Sequence, residues 1–238
     1  MSESTMGRIA VVTGAGRGIG LELTGQLLEG GATVFAGTRG APSTELSSLA
    51  AKHGDRLQPL VMDVADDEAV AEGARTVAGR VDHVDLLINN AGVYPEDSGG
   101  LERLDLDAMR QGFEVNTLGP LRVTRAFLPL MRLGSERKIF HITSLMGSIG
   151  DNSSGGSYAY RVSKTGLNMV SLNLSHELRA EGFVVLTIHP GWVQTRMGSD
   201  AAPLTVGASA AGILQVIDRS TTEDSGSFRS WDGRPLPY

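Results

Sequence analysis

Seven stretches of the chain are apolar almost without a break: residues 9–13, 32–36, 57–62, 84–88, 138–143, 183–189, and a short one around Phe228. Runs that do not alternate apolar with polar suit strands buried on both faces of a parallel sheet. The segments between them repeat with helical spacing. Leu23, Leu27 and Leu28 share one face after the first run, a helix is expected from Asp66, and a long helical region covers 101–132 with an interruption around Gly119 and Pro120. Another helix begins near Ser157 with Leu167, Leu174 and Leu178 on one face, and a last one covers 204–217. Strands alternating with amphipathic helices predict an α/β fold, a doubly wound parallel sheet of about seven strands in one domain spanning 1–238.

The helix near Ser157 carries a second stripe, Ala159, Ser163, Gly166 and Val170, made of small residues at a spacing that lets two helices approach closely. Packing within the chain and a subunit interface are equally good readings of it.

Composition narrows the function. The net charge is −6 without long single-sign runs, which argues against a nucleic-acid or anionic-membrane surface and leaves small-molecule chemistry. There is no cysteine, hence no disulfide framework and no thiolate chemistry. Residues 1–7 form a short polar lead, and no segment offers about 18 consecutive apolar residues, so a soluble cytoplasmic protein is expected. The five histidines show no ligand spacing, so no metal is expected, and His141 and His189 read as core strand residues.

Two constellations carry chemistry. Tyr160 and Lys164 stand four apart at a helix start, on one face, so the ammonium can sit beneath the phenol. A free tyrosine, with a pKa of about 10, is a poor acid or base at neutral pH. A fixed positive charge nearby favours the phenolate and makes Tyr160 a usable general acid or base. Ser144, just past the fifth run, supplies a hydroxyl to hold a substrate oxygen. The other constellation follows the first run: Thr13, then Gly14, Gly16, Arg17, Gly18, Ile19 and Gly20, leading into a helix. Unpaired backbone N–H groups and the helix dipole make such a turn an anion site. No Gly-Lys-Ser/Thr follows, which excludes a nucleoside-triphosphate P-loop.

The spacing Gly14-x-x-x-Gly18-x-Gly20 after Thr13, with Tyr160-x-x-x-Lys164 downstream, resembles the short-chain dehydrogenase/reductase family. That family has a Rossmann-type sheet, and the resemblance covers nearly the whole chain. Its other signatures occur in order. Asn89-Asn90-Ala91-Gly92 matches the motif that holds the central sheet and lines the cofactor ribose. The resemblance assigns Asp63, with Val64, to the adenine amine, and Asn116 to a helix kink whose carbonyl binds a relay water. It assigns Pro190, Gly191, Val193 and Thr195 to the nicotinamide, with Trp192 and Met197 shaping the substrate pocket. Near the end of the second run, at Thr38 and Arg39, no acid stands between Thr33 and Thr44 to bind a ribose 2′-OH. Arg39 and Arg17 are placed instead to grip the 2′-phosphate of NADPH.

Tyr160 follows Ser144 at a longer interval than is common in the family. The glycine-rich insert 150–156 and the C-terminal Gly226-Ser227-Phe228, Trp231-Asp232-Gly233 and Pro237 resemble the branch of sniffer-type carbonyl reductases and C-factor-like proteins. Tyr158 lacks a lysine partner, since Val162 occupies that place. The resemblance implies an NADPH-dependent reductase of a ketone or aldehyde, working with Asn116, Ser144, Tyr160 and Lys164 as a homodimer or homotetramer. A cofactor-binding signalling protein or redox sensor, and an NAD-dependent alcohol dehydrogenase, are the alternatives. Loops 145–156 and 191–206 would form the substrate pocket.

Overall fold

The computed structural model describes residues 7–96 and 100–238; most of the polar lead lies outside them. Seven parallel strands form one sheet: β1 (Ile9–Thr13), β2 (Thr33–Thr38), β3 (Leu57–Val61), β4 (Leu86–Asn89), β5 (Lys138–Ile142), β6 (Val184–His189) and β7 (Phe228–Ser230). Their order is β3-β2-β1-β4-β5-β6-β7. The order reverses between β1 and β4, so a crevice opens beyond their carboxyl ends, where dinucleotide folds bind their ligands.

Alternate residues of each strand feed two cores. Val12, Leu86, Ile88, Phe140 and Leu186 pack with Leu23, Leu27 and Leu28 of α1 (Gly18–Glu29) and with Ile213 and Ile217 of α7 (Val206–Arg219). Val11, Leu87, Ile139 and Val185 pack on the other face with Val70 of α3 (Asp67–Ala78), Val123 and Phe127 of α5 (Gly119–Leu133), and Leu174 of α6 (Tyr158–Glu177). Both faces are covered, which is why the strands read as unbroken apolar runs. The remaining helices are α2 (Thr44–His53) and α4 (Leu106–Phe113).

Several boundaries differ from the sequence expectation. β2 continues past Ala36 because Gly37 and Thr38 pair with Leu60 and Val61. β4 starts at Leu86 rather than Val84, since the Asp85 carboxylate accepts the backbone N–H groups of Ile9 and Ser135 and ties the strand base to its neighbours. The interruption in the long helical region is a π-helical segment, Glu114–Leu118, which holds Asn116, where the resemblance set a kink, and ends just before the Gly119-Pro120 pair. Pro120 sits in the first turn of α5, where a missing N–H costs little. Leu204 is outside α7: it bridges to Val193, and Thr205 caps the helix by accepting the Ala208 N–H. The helix expected from Asp66 starts one residue later, and Asp66 caps it by accepting N–H groups from Glu68 and Ala69.

The small-residue stripe of α6 is used within the chain. A methyl group at Gly112 of α4 would come within 2.9 Å of the Ala159 carbonyl oxygen, and one at Gly166 within 3.0 Å of Thr117 in the π segment. The Thr117 hydroxyl donates to the Ser163 carbonyl at 2.7 Å. This close approach holds the π segment and α6 together beneath the crevice.

Candidate active site

The glycine turn explains its own sequence. Gly14 and Gly18 have φ of +65° and +53°, a region that costs a side chain strain. A methyl group at Gly20 would overlap the Gly14 carbonyl oxygen and the Asn90 amide, whereas one at Gly16 would meet nothing nearer than Thr38 at 3.4 Å. Three of the four glycines are therefore required by geometry. The turn is bound to the end of β4: Thr13 Oγ1 accepts the backbone N–H groups of Asn90 and Ala91, both at 3.0 Å, and Asn90 Nδ2 donates to the carbonyls of Thr13 and Gly14 at 2.9 and 3.2 Å.

Ala15 N–H donates to the Gly37 carbonyl at 3.0 Å, which sets the turn over the end of β2. Gly16 faces Thr38, so Arg17 and Arg39 each lie one residue from that contact. Both arginines are exposed, and neither guanidinium makes a hydrogen bond or ion pair among the described residues. Thr38 is buried, with its hydroxyl turned to the carbonyls of Gly40 and Leu60. Asp63 Oδ1 accepts the Ala65 N–H, and Val64 is buried against Gly119. On the far side, Gly191 has φ of +88° and packs against Leu204 and Trp231. Pro190 accepts the Ser209 hydroxyl, and Thr195 approaches the glycine turn at Gly18. Met197 and Trp192 are exposed, and the Trp192 indole N–H donates to the Gly198 carbonyl.

Ser144, Tyr160, Lys164 and Asn116 come together between these loops. Ser144 Oγ accepts the Met146 N–H at 3.2 Å, capping a short 3₁₀ turn, Leu145–Gly147, that seats Gly147 against Lys164. Tyr160 is buried; burial pushes its pKa up to about 12, opposed by the nearby Ser144 hydroxyl and reinforced by the neighbouring Tyr94. This reverses the sequence expectation of a lowered pKa. Lys164 Nζ lies 5.8 Å from the Tyr160 ring centre and donates to the Ile142 carbonyl at 2.9 Å, which fixes the ammonium at the strand end. Burial lowers the Lys164 pKa to about 8. Asn116, fully buried in the π segment, clasps the backbone of Val93 with Oδ1 accepting the N–H at 2.8 Å and Nδ2 donating to the carbonyl at 2.9 Å. Nδ2 also donates to Ser163 Oγ, whose hydrogen goes to the Tyr160 carbonyl. A methyl group on Gly92 would lie 3.2 Å from Asn116 Oδ1 and 3.4 Å from Lys164 Nζ, so glycine keeps this passage open.

Sequence reasoning missed three contributors. The Tyr94 ring centre is 4.5 Å from that of Tyr160, and its hydroxyl lies 2.8 Å from Ser157 Oγ. Ser163 links Asn116 to the Tyr160 backbone. Arg161 anchors the loop before α6 through Gly155, Met146 and Ser154. The signal for Tyr94 was its place directly after Asn-Asn-Ala-Gly and Val93; the other two lie one residue from Lys164 or Tyr160 along α6. Among the described residues no group of three His, Asp or Glu is placed to hold a metal, and no helix is long and apolar enough to cross a membrane.

A crevice at the switch point, a phosphate-type glycine turn and a buried Ser-Tyr-Lys set define a dinucleotide-dependent α/β protein. The profile of the short chain dehydrogenase family matches residues 8–203, and the chain belongs to that family of oxidoreductases. It is 49% identical over 158 residues to the C-signal of Myxococcus xanthus, an alignment covering 65% of this chain and 93% of the relative. Among solved structures it resembles the carbonyl reductase Sniffer of D. melanogaster with a TM-score of 0.92 at 32% identity, covering 98% of this chain and 100% of that one. An NADPH-bound carbonyl reductase from chicken fatty liver is similar with a TM-score of 0.89, also at 32% identity, over 98% of this chain and 100% of that one. The expected branch, sniffer-type and C-factor-like, is the one in which these relatives fall.

Proposed function

We propose that this protein is an NADPH-dependent carbonyl reductase acting on a ketone or aldehyde. The observation that carries the reading is the convergence of Ser144, Tyr160 and Lys164 beside the glycine turn, a backbone cradle packed onto the loop after β4. The cradle fits a dinucleotide. Backbone N–H groups from Gly14 to Gly20 would hold its pyrophosphate, Arg17 and Arg39 the 2′-phosphate, and Asp63 with Val64 the adenine. Asn90, Ala91, Gly92 and Lys164 would hold the ribose near the reacting end, and Pro190, Gly191, Val193 and Thr195 the nicotinamide. When bound, NADPH supplies the hydride. Ser144 Oγ holds the substrate oxygen, and the Tyr160 hydroxyl gives it a proton. A raised Tyr160 pKa keeps that proton in place until the oxygen becomes basic. Lys164 holds positive charge beneath the pair, and Asn116 fixes the π segment whose carbonyl would seat a relay water. The absence of an acid near the end of β2 favours NADPH over the NAD-dependent alternative.

The C-signal relative supports a second reading, a cofactor-binding signalling protein or redox sensor of the same fold. The complete set of relay residues supports the enzyme. The reductase reading carries with it a cytoplasmic homodimer or homotetramer, which sedimentation of the purified protein tests. Tyr160→Phe should abolish NADPH oxidation with a panel of ketones and aldehydes while leaving NADPH binding close to that of the wild type. Turnover retained by this variant sinks the assignment.

A further inference from the structure

Tyr160 has neighbours on three sides. Ser144 stands on its hydroxyl side, Lys164 lies 5.8 Å from its ring centre with Gly92 behind, and Tyr94 stands against the ring at 4.5 Å with the planes 37° apart. Tyr94 is held at both ends. Its chain neighbour Val93 is clasped by the Asn116 side chain, and its hydroxyl lies 2.8 Å from Ser157 Oγ, on a residue with φ of +46° at the start of α6. Despite touching a buried ring, Tyr94 is 41% exposed. A ring fixed at both ends and still open to solvent is a preformed flat surface, which a ligand can use without ordering it first.

Resting on the reductase reading, we propose that Tyr94 determines specificity: a flat, unsaturated substituent on the substrate's carbonyl carbon lies against its ring. The argument is one of remaining directions. The substrate oxygen would lie at the Ser144 and Tyr160 hydroxyls, and Gly92 with Lys164 would hold the ribose of the cofactor. The carbon substituent is left with the side that Tyr94 walls. An aromatic partner there gains an offset or tilted ring contact beyond plain burial, and a saturated ring of equal size gains the burial alone. Ile149, Trp192 and Met197 are exposed on loops beyond the carboxyl ends of β5 and β6.

The test compares aryl methyl ketones with their saturated-ring counterparts, acetophenone against cyclohexyl methyl ketone first, at saturating NADPH. The wild type should favour the aryl member of each pair in kcat/KM. Tyr94→Leu should shrink that preference by about threefold to tenfold, chiefly through KM, and Tyr94→Phe should keep it. Equal loss on both members would show that Tyr94 only buttresses Tyr160, which overturns the proposal. So would a wild type with no aryl preference, a result that stands even if Tyr94→Leu does not fold. A wild type that binds NADPH yet reduces neither member of any pair overturns the reductase reading, and the proposal falls with it.

Discussion

His141 offers a test of how tightly this core excludes charge. It sits in β5 with no exposed surface, its Nδ1 3.2 Å from the Asn89 amide. Burial first, and then the charge of Lys164, push its pKa down to about 3. In the unfolded chain it should titrate near its ordinary value, about 6.5. Below that pH the unfolded state takes up a proton that the folded state refuses, so stability falls on acidification from about 6.5 toward about 3. The contribution RT ln(1 + 10^(6.5 − pH)) grows by about 2 kcal/mol between about pH 7 and about pH 5. His189, pushed to about 4 by burial, adds a comparable loss over the same interval. Urea unfolding of the wild type and of His141→Asn at both pH values isolates the first part. Asn at this site keeps a polar partner for Asn89, and the variant should lose about 2 kcal/mol less on acidification than the wild type does. Equal losses would falsify the claim that His141 stays neutral in the fold.

The glycine turn predicts opposite outcomes for two similar changes. Gly20→Ala should lower the melting temperature sharply, whereas Gly16→Ala, whose methyl group meets no protein atom nearer than 3.4 Å, should leave the melting temperature without NADPH nearly unchanged and reduce only the upward shift that NADPH gives. For the cofactor fork, Arg39→Ser should raise KM for NADPH by roughly tenfold and leave NADH little changed, since a hydrogen bond to a charged group contributes about 1.5–3 kcal/mol. An equal effect on both cofactors would remove Arg39 from the 2′-phosphate. Lys164 has a pKa lowered to about 8, so its charge is lost as pH rises through that value. The kcat/KM of carbonyl reduction should then decline by about tenfold per pH unit above it, and a profile flat to pH ~10, near the ordinary lysine value, would contradict a charged Lys164 as a requirement.

The strands were legible because burial on both faces writes an unbroken apolar run, and the glycine turn and Asn-Asn-Ala-Gly because each stands directly at a strand end. Boundaries were less so. Nothing in the run through Val84 shows that the Asp85 carboxylate ends the pairing, and Gly37 with Thr38 looks like a turn until β3 lies beside it. α2 escaped notice because only Leu46 of its ten residues is buried, too little to leave a stripe. The residue pattern marked the helix break only around Gly119 and Pro120, and the resemblance alone set a kink at Asn116; the π segment that contains it is held by contacts from α6 that no local pattern records. Tyr94 belongs to the same class: its role arises from Ser157 and Tyr160, more than sixty residues away in the chain.

One shared hydroxyl has a wider consequence. Thr13 Oγ1 accepts two N–H groups from the loop after β4, and Asn90 answers with two bonds to the turn after β1. The two lips of the crevice are thereby tied to each other by four hydrogen bonds. A dinucleotide entering there meets a mould already set, and little of its binding energy is diverted into reshaping the protein. Motion that follows binding must then be sought in the loops beyond β5 and β6, so the rate of opening and closing should vary with changes in those loops while the grip on the phosphates does not.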